Sequence, residues 1–449
     1  MLQRRQLLQL AGAAAVAGAG GAAWMAYRSD RATARVAGSF KNYPFDPVDA
    51  ANFQQKLFMP GAGGPLGVLD VAGPVRIQAG AASFALLPQR ESPLLLYQTD
   101  YAGKAYQNPI LRIESGARFT ATLDNAQFDA QGKLLYKPGM QEAMMGWLGD
   151  IILCNLTPNA VQSVMPRTYR LRLLNGSNSR IYRLGFVNGH TALGFTVIGT
   201  DGGLLERPEA ASEAFIAPGE RLDVLFDADQ VPVGGDIFLK SLAFDAMENE
   251  GGMPGMSGMP GMGPMMNAMS SSRLPLGAEF NILKLSVLAG ERVIAQLPTA
   301  LSSIKPIATA GAAERTIELS MGQMRFLING LTFRMDEIAF DVKRNAVEVW
   351  SISNPAIGMP HPMHIHGFSF QVLERIGSPP QMSAAARFGK GRVVSDLGWK
   401  DTVLVWPGET VRIALDFTHD FPGDQTYVFH CHNLEHEDAG MMINFRVTA

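Results

Sequence analysis

The stretch HCHNLEHEDAGM, residues 430–441, begins with three consecutive residues that can each bind a metal. In an extended strand, successive side chains point to opposite faces. His430 and His432 are therefore expected on one face and Cys431 on the other. The stretch predicts two metal sites on opposite sides of one strand, joined through the backbone of Cys431.

The Cys431 side of this strand has further ligands close by in sequence, His436 and Met441. A thiolate, imidazole nitrogens from this and a more distant histidine, and a weak axial thioether form the ligand set of a blue-copper electron-transfer centre. The pattern favours an oxidoreductase that accepts electrons singly and passes them to the second site.

A second motif, HPMHIHG at residues 361–367, supplies more imidazoles. His364 and His366 are two positions apart and share a face if the segment is a strand, and His361 precedes them. Six of the eight histidines of the chain fall into the two motifs. Such clustering favours metal binding over six ordinary surface or core histidines.

The two motifs, together with residues 398–403, resemble the third cupredoxin domain of the multicopper oxidases, in particular the periplasmic copper-efflux oxidases and bacterial laccases. The similarity extends to residues 146–150, 173–176, 201–204 and 326–330. It implies an all-β chain of tandem cupredoxin-like Greek-key β-sandwiches. The 47 Gly and 27 Pro and strand-like runs such as residues 411–415 favour the same class.

The resemblance also implies copper as the cofactor and assigns its ligands. The type 1 copper ligands would be His361, Cys431, His436 and Met441. The type 2 copper would bind His364, and the type 3 pair would bind His366, His430 and His432.

The chain differs from the family in its first domain. Family members that reduce dioxygen carry two further His-X-His motifs there, whereas no histidine precedes His190 here. After Asn125 the sequence passes directly into Ala126 and a segment that resembles the opening of the second domain. We therefore expect a truncated first sandwich and an incomplete type 2/type 3 cluster, unless the recorded sequence is in error at this junction.

The expected organisation follows from these similarities and from length, since 449 residues suggest about three domains. We expect a leader at 1–35, a partial first domain at 36–125, a second domain at 126–305 and the copper-binding third domain at 306–449. The formal net charge of −3 argues against a nucleic-acid partner.

Residues outside the motifs are given structural roles. His190 and His419 are isolated in the sequence, and Cys154 is expected to be a buried apolar residue. If Cys431 binds copper, the two cysteines of the chain cannot form an internal disulfide.

The N-terminus indicates export. Arg4 and Arg5 precede a mildly apolar stretch at residues 7–23, which fits a twin-arginine signal and a periplasmic location. Glycine and glutamine interrupt the stretch, so a stable membrane span is not expected. A disordered basic leader or a retained anchor is the alternative.

Residues 253–269 are rich in Met, Gly and Pro, a composition that prevents regular structure. Soft thioethers select Cu(I), so the segment is a candidate Cu(I) site, with a linker of incidental methionines as the alternative. Its methionines are Met253, Met256, Met259, Met262, Met265, Met266 and Met269.

Two more residues receive roles from the resemblance. Met359 matches a methionine that helps to bind a substrate cuprous ion in the copper-efflux oxidases. Glu437 matches an acid that relays protons towards the cluster, and a solvent-facing carboxylate is the alternative of equal weight.

The sequence thus predicts a copper-dependent oxidoreductase that oxidises Cu(I) or small phenols at a type 1 copper, with dioxygen as the family's acceptor and a role in copper tolerance. The shortage of histidines makes dioxygen reduction by this chain doubtful. The alternative is a non-oxidase copper-binding or electron-transfer protein, or a scaffold similar to copper-free family members.

Overall fold

The computed structural model describes residues 46–87, 90–114, 121–126, 140–247, 274–322, 325–356 and 358–449. The expected leader at 1–35 and the methionine-rich segment at 253–269 lie outside these residues. The described part is built almost entirely of strands, with three short α-helices and three single 3₁₀ turns. The prediction of an all-β fold is confirmed.

The N-terminal strands form a small sheet around a long hairpin. The strands are β1 (Gln55–Lys56), β2 (Gly64–Pro65), β3 (Val68–Asp70), β4 (Val75–Leu87), β5 (Arg90–Tyr101), β6 (Lys104–Gln107), β7 (Ile110–Arg112) and β8 (Ala121–Ala126). Among the described strands the order is β2-β6-β5-β4-β8, so β8 lies at an edge. Leu69, Val75 and Tyr106 form the small core beside this sheet.

The middle of the chain forms two facing sheets. Its elements are α1 (Met140–Met145), β9 (Leu153–Cys154), β10 (Thr157–Pro158), β11 (Ala160–Val164), β12 (Thr168–Leu174), β13 (Tyr182–Asn188), β14 (Thr191–Leu193), β15 (Phe195–Thr200), β16 (Gly203–Ala211), β17 (Ala214–Ile216), β18 (Arg221–Asp227), β19 (Asp236–Ser241) and β20 (Phe280–Val287). One described sheet runs β12-β18-β15-β16, and the other runs β1-β11-β20-β19-β13-β14 with β17 paired to β13. Phe186 and Phe226 stack between them at 4.0 Å.

The C-terminal part is a second sandwich. Its elements are β21 (Ala313–Gly322), β22 (Arg325–Ile328), β23 (Ile338–Lys343), β24 (Val347–Ser353), β25 (His361–Ile365), β26 (Phe370–Ile376), α2 (Pro380–Ala385), β27 (Thr402–Val405), β28 (Thr410–Asp416), β29 (Gln425–Cys431), α3 (Leu434–Asp438) and β30 (Met442–Thr448). The described sheets run β22-β21-β24-β28-β26 and β23-β30-β29-β25-β27. Alternating apolar residues of both sheets pack around the fully buried Trp350.

The second of these sheets positions the predicted metal ligands. The antiparallel pairing of β25 with β29 sets Met363 opposite Cys431 and His364 opposite His430. The two motifs, 64 residues apart between His366 and His430, therefore meet side by side. Within the described residues, no helix has both the length and the apolar character needed to cross a membrane.

Candidate metal centre

Three of the predicted type 1 ligands converge on one buried point. The Cys431 sulfur lies 3.5 Å from His361 Nδ1 and 3.6 Å from His436 Nδ1. Cys431 and His436 are fully buried and His361 is 4% exposed. One thiol and two imidazole nitrogens thus face one another in the buried interior of the sandwich.

The chain after Cys431 folds back to bring His436 and Met441 to this point. Helix α3 carries His436, whose backbone carbonyl accepts a hydrogen bond from the Met441 N–H at 2.9 Å. The Met441 carbonyl in turn accepts from the Cys431 N–H at 3.0 Å. Met441 is fully buried beside the same apolar cluster as Cys431, so the four-residue set predicted from the sequence is packed into one region.

The surroundings of His436 hold its ring in place. Phe326 stacks on it with centroids 3.8 Å apart and an interplanar angle of 25°. Asn433 Nδ2 lies 3.3 Å from His436 Nε2, while the buried Asn433 Oδ1 finds no hydrogen-bond partner in the described part of the chain. Rotating the amide by 180° makes Oδ1 the acceptor of an Nε2–H, and in that tautomer the lone pair with which His436 can bind a metal is on Nδ1.

Burial sets the protonation of this group. It lowers the pKa of His361 to about 3, so that imidazole is neutral at ordinary pH. Burial also raises the pKa of the Cys431 thiol well above its ordinary value. A metal cation among these atoms would offset the cost of a buried thiolate, so the donor set and its environment fit a copper ion.

The other face of β29 carries a histidine group. Ligand atoms of His364, His366 and His430 lie within 4.8 Å of one another. His366 Nε2 and His430 Nε2 are 3.0 Å apart. His430 is buried, His364 is half-buried and His366 is exposed, so this site opens towards the surface.

His432 lies at the margin of the histidine group. Its ring centroid is 5.6 Å from that of His364 and 5.7 Å from that of His430. Burial lowers its pKa. His432 Nδ1 is buried and has no hydrogen-bond partner among the described residues. This nitrogen is therefore available as a metal ligand.

Two of these imidazoles have a fixed tautomer. His364 Nδ1 lies 2.9 Å from the Asp401 carbonyl oxygen, and His430 Nδ1 lies 3.0 Å from the Cys431 carbonyl oxygen. Because a carbonyl can only accept, each Nδ1 carries the proton and each Nε2 keeps its lone pair. This is how metal-binding histidines are ordinarily oriented by their surroundings.

Glu437 lies next to the histidine group. One of its oxygens is 3.3 Å from His430 Nδ1, and its side chain is 31% exposed. Burial, the largest influence, acts to raise the pKa of Glu437. The hydrogen bond from His430 and the nearby imidazoles together outweigh it, so the pKa lies below its ordinary value. The carboxylate thus touches both a cluster histidine and solvent.

The remaining residues singled out from the sequence are not members of the two ligand groups. Met359 is 7% exposed and belongs to the apolar core that also contains Cys431 and Met441. His190 is exposed on a turn, and the His419 Nδ1 accepts a hydrogen bond from the Phe421 N–H at 3.2 Å. Cys154 is half-buried and packs against the middle core, and burial raises its pKa to about 11.

The residues around the Nδ1 side of His364 were not predicted from the sequence. Asp201, Arg221, Asp401 and Thr402 form a hydrogen-bonded group next to its ring. In the sequence, residues 201–204 and 398–403 carry only a family resemblance. Nothing in their local pattern shows that the two segments meet.

Comparison with known proteins agrees with this geometry. Two family models described as multicopper oxidase match residues 105–239 and 306–449. A laccase of Bacillus subtilis (strain 168) is 31% identical over 67% of this chain and 55% of its own length. The cell division protein FtsP of Xenorhabdus nematophila is 29% identical over 72% of this chain and 59% of its own length. The chain thus spans little more than half of these curated relatives.

Among solved structures, the multicopper oxidase McoA of the hyperthermophile Aquifex aeolicus is 28% identical. The match covers 88% of this chain and 100% of that one, with a TM-score of 0.68. The matched family models, the similar structure and the two convergent ligand groups together show that this chain belongs to the multicopper oxidase family, whose metal is copper.

Proposed function

We propose that the protein is a copper-binding oxidoreductase that withdraws electrons from its substrate at a type 1 copper held by His361, Cys431, His436 and Met441. The observation that carries the proposal is the convergence of the Cys431 sulfur with two histidine Nδ1 atoms at 3.5 and 3.6 Å among buried residues. Copper bound to such ligands supplies one-electron redox chemistry.

The backbone at Cys431 provides a short path for electrons between the type 1 site and the histidine group. Cys431 is covalently joined to His430, which belongs to the histidine group on the opposite face of β29, and to His432, which follows the strand. The strand pairing keeps His364 opposite His430, so the acceptor histidines stay next to the cysteine. We assign His364 to a type 2 copper and His366, His430 and His432 to a type 3 pair.

For the substrate we propose Cu(I) or a small phenol, and for the physiological role copper tolerance in the periplasm after twin-arginine export. Support for Cu(I) comes from the thioethers of Met359 and of Met253, Met256, Met259 and Met262, since soft ligands prefer the cuprous ion. Glu437 is a candidate proton carrier, because it contacts His430 and is also in reach of solvent.

A second candidate is a copper-binding or electron-transfer protein without oxidase activity, or a scaffold. The number of histidines favours it, because His364, His366, His430 and His432 alone cannot saturate a cluster of three coppers. The similarity to proteins named cell division protein FtsP points in the same direction.

Oxygen uptake distinguishes the two candidates. Copper-loaded protein of verified sequence would be supplied with Cu(I) or a phenol, with Cys431→Ser as the inactive control. Substrate-dependent oxygen consumption that disappears in the variant supports an oxidase. Reduction of the blue copper without oxygen consumption supports an electron carrier, and the lack of any blue copper would rule out the proposed type 1 site.

A further inference from the structure

A buried cluster of charged side chains links the middle sandwich to the C-terminal one, next to the segment that contacts His364. Lys400, with no exposed surface, places its Nζ 2.8 Å from Asp201 Oδ2 and 2.9 Å from Glu220 Oε1. Asp201 follows β15 and Glu220 precedes β18, so both carboxylates come from the middle sandwich. Lys400 comes from the segment before β27.

Arg221 extends this cluster to the residue that touches His364. Its guanidinium donates to both carboxylate oxygens of Asp401, at 2.7 and 2.6 Å. One oxygen of the Asp201 carboxylate accepts a hydrogen bond from the backbone N–H of Arg221 at 2.8 Å. The other oxygen accepts from the backbone N–H of Thr402 at 3.3 Å. The side chains of Asp201, Glu220 and Arg221, all from the middle sandwich, therefore bind the 400–402 segment of the C-terminal one.

That segment supplies both acceptors for His364. Its Nδ1 lies 2.9 Å from the Asp401 carbonyl oxygen and 3.0 Å from Thr402 Oγ1. The Thr402 hydroxyl donates a hydrogen bond to Asp401 Oδ1 at 2.9 Å. Because it has only one proton, it can only accept a hydrogen bond from His364. His364 Nδ1 thus donates to Thr402 Oγ1, and the Asp401 carboxylate accepts from both the Thr402 hydroxyl and the Arg221 guanidinium.

The turn that carries Arg221 also touches a second histidine. Gly219 has a φ of +83°, and a Cβ added there would lie 2.6 Å from His432 Cδ2 and 2.9 Å from Nε2. No other residue type leaves room for the ring at its present place, since every other side chain begins with a Cβ. The turn at residues 217–221 therefore contacts one imidazole through Gly219 and is connected to another through the hydrogen bonds of Arg221 with Asp401.

We propose that this turn is a positioning element for the histidine group. Arg221, acting through Asp401 and Thr402, keeps His364 protonated on Nδ1 with its Nε2 lone pair facing His366 and His430, and Gly219 sets the position of the His432 ring. The inference rests on the proposed function only in that these histidines bind copper. The tautomer itself is a property of the protein alone.

The first test therefore uses protein stripped of metal and labelled with ¹⁵N-histidine. Ring nitrogen shifts report which nitrogen of each imidazole carries the proton, and the missing signals of His364→Gln assign His364. We expect a pure Nδ1–H form in the wild type and a mixture with the Nε2–H form in Arg221→Gln. Asp401→Asn, which keeps the shape of the side chain, provides the same test if Arg221→Gln folds poorly.

The matched control is Arg170→Gln, because Arg170 forms a similar pair with Asp223, at 2.9 Å, on strands β12 and β18. The control should leave the His364 shifts unchanged. An Nε2–H form of His364 in the wild type, or an unchanged Nδ1–H form in both Arg221→Gln and Asp401→Asn, would overturn the proposal.

The second test measures Cu(II) bound by the histidine group in a Cys431→Ser/His361→Gln background, which lacks the thiolate and one imidazole of the other site. Loss of a supporting partner of a metal-bound histidine typically weakens metal affinity about 10- to 100-fold, and we expect a change in this range for Arg221→Gln, with altered copper hyperfine splitting. Gly219→Ala should change the splitting as well.

Gly234→Ala is the control for Gly219→Ala, because Gly234 has a similar φ of +88° and nothing within 4 Å of an added Cβ. Equal effects of the two glycine variants would remove Gly219 from the proposal. If the background protein binds no Cu(II), the proposed function fails at this site, while the tautomer measurement still decides whether Arg221 positions His364.

Discussion

His366 and His430 face each other with their Nε2 atoms 3.0 Å apart. His430 Nδ1 contacts the Cys431 carbonyl oxygen and therefore carries its proton, which leaves a lone pair on His430 Nε2. The geometry fits a hydrogen bond donated by His366 Nε2–H. A copper ion that binds either Nε2 must break this hydrogen bond, and the His366 proton then has to move to Nδ1, because a metal-binding imidazole keeps its proton on the other ring nitrogen.

The blue site gives the most direct prediction. Copper-loaded wild type should show an intense thiolate-to-copper absorption at about 600 nm, as blue-copper sites do, because Cys431, His361 and His436 already converge. Cys431→Ser should abolish the band. Cys154→Ser should keep it, since Cys154 packs against the middle core. A fully loaded wild type without the band would refute the type 1 assignment.

The methionine-rich segment should bind Cu(I) in preference to Cu(II), because thioethers are soft ligands. Replacing residues 253–269 by a Gly/Ser linker of equal length should lower the amount of Cu(I) bound and leave the blue absorption unchanged. Cu(I) titration with a competing chelator measures the difference. Equal Cu(I) stoichiometry in both proteins would reduce the segment to a linker.

Copper content should fall short of the family's full complement. Four imidazoles on the histidine side cannot saturate three coppers, so oxygen consumption should be very weak even where the type 1 copper is reducible. Metal analysis of protein lacking residues 253–269 measures the copper bound at the ligand groups of the C-terminal sandwich, without the copper bound by the methionine-rich segment. Vigorous four-electron reduction of dioxygen to water by this protein would show the argument to be wrong.

Lys400 should be essential for stability. Lys400→Met leaves Asp201 and Glu220 buried without their shared cation, and breaking a buried ion pair by removing one partner costs about 3–5 kcal/mol. Arg170→Gln, which removes a partly exposed pair with Asp223, should cost no more than about 1 kcal/mol. Denaturant unfolding measures both, and similar losses would argue against a special role of Lys400.

The division of the predicted residues between two faces follows from strand alternation, which is a property of the backbone, whereas their roles as copper ligands remain predictions. The placing of His430 and Cys431 in different groups needed only the period of two. The truncated first sandwich and the domain boundaries remain predictions. The roles of Arg221, Asp401 and Gly219 could not be predicted, since residues from segments about 180 positions apart meet only through the packing of two sandwiches. No local pattern records that packing.

The pairing of Met363 with Cys431 and of His364 with His430 has one further consequence. A slip of one residue between β25 and β29 would move every side chain of one strand to the other face. The sulfur of Cys431 would then point among the imidazoles, and His430 would enter the apolar core. Strand registration is therefore what keeps the Cys431 sulfur on the opposite face of the sheet from His364 and His430.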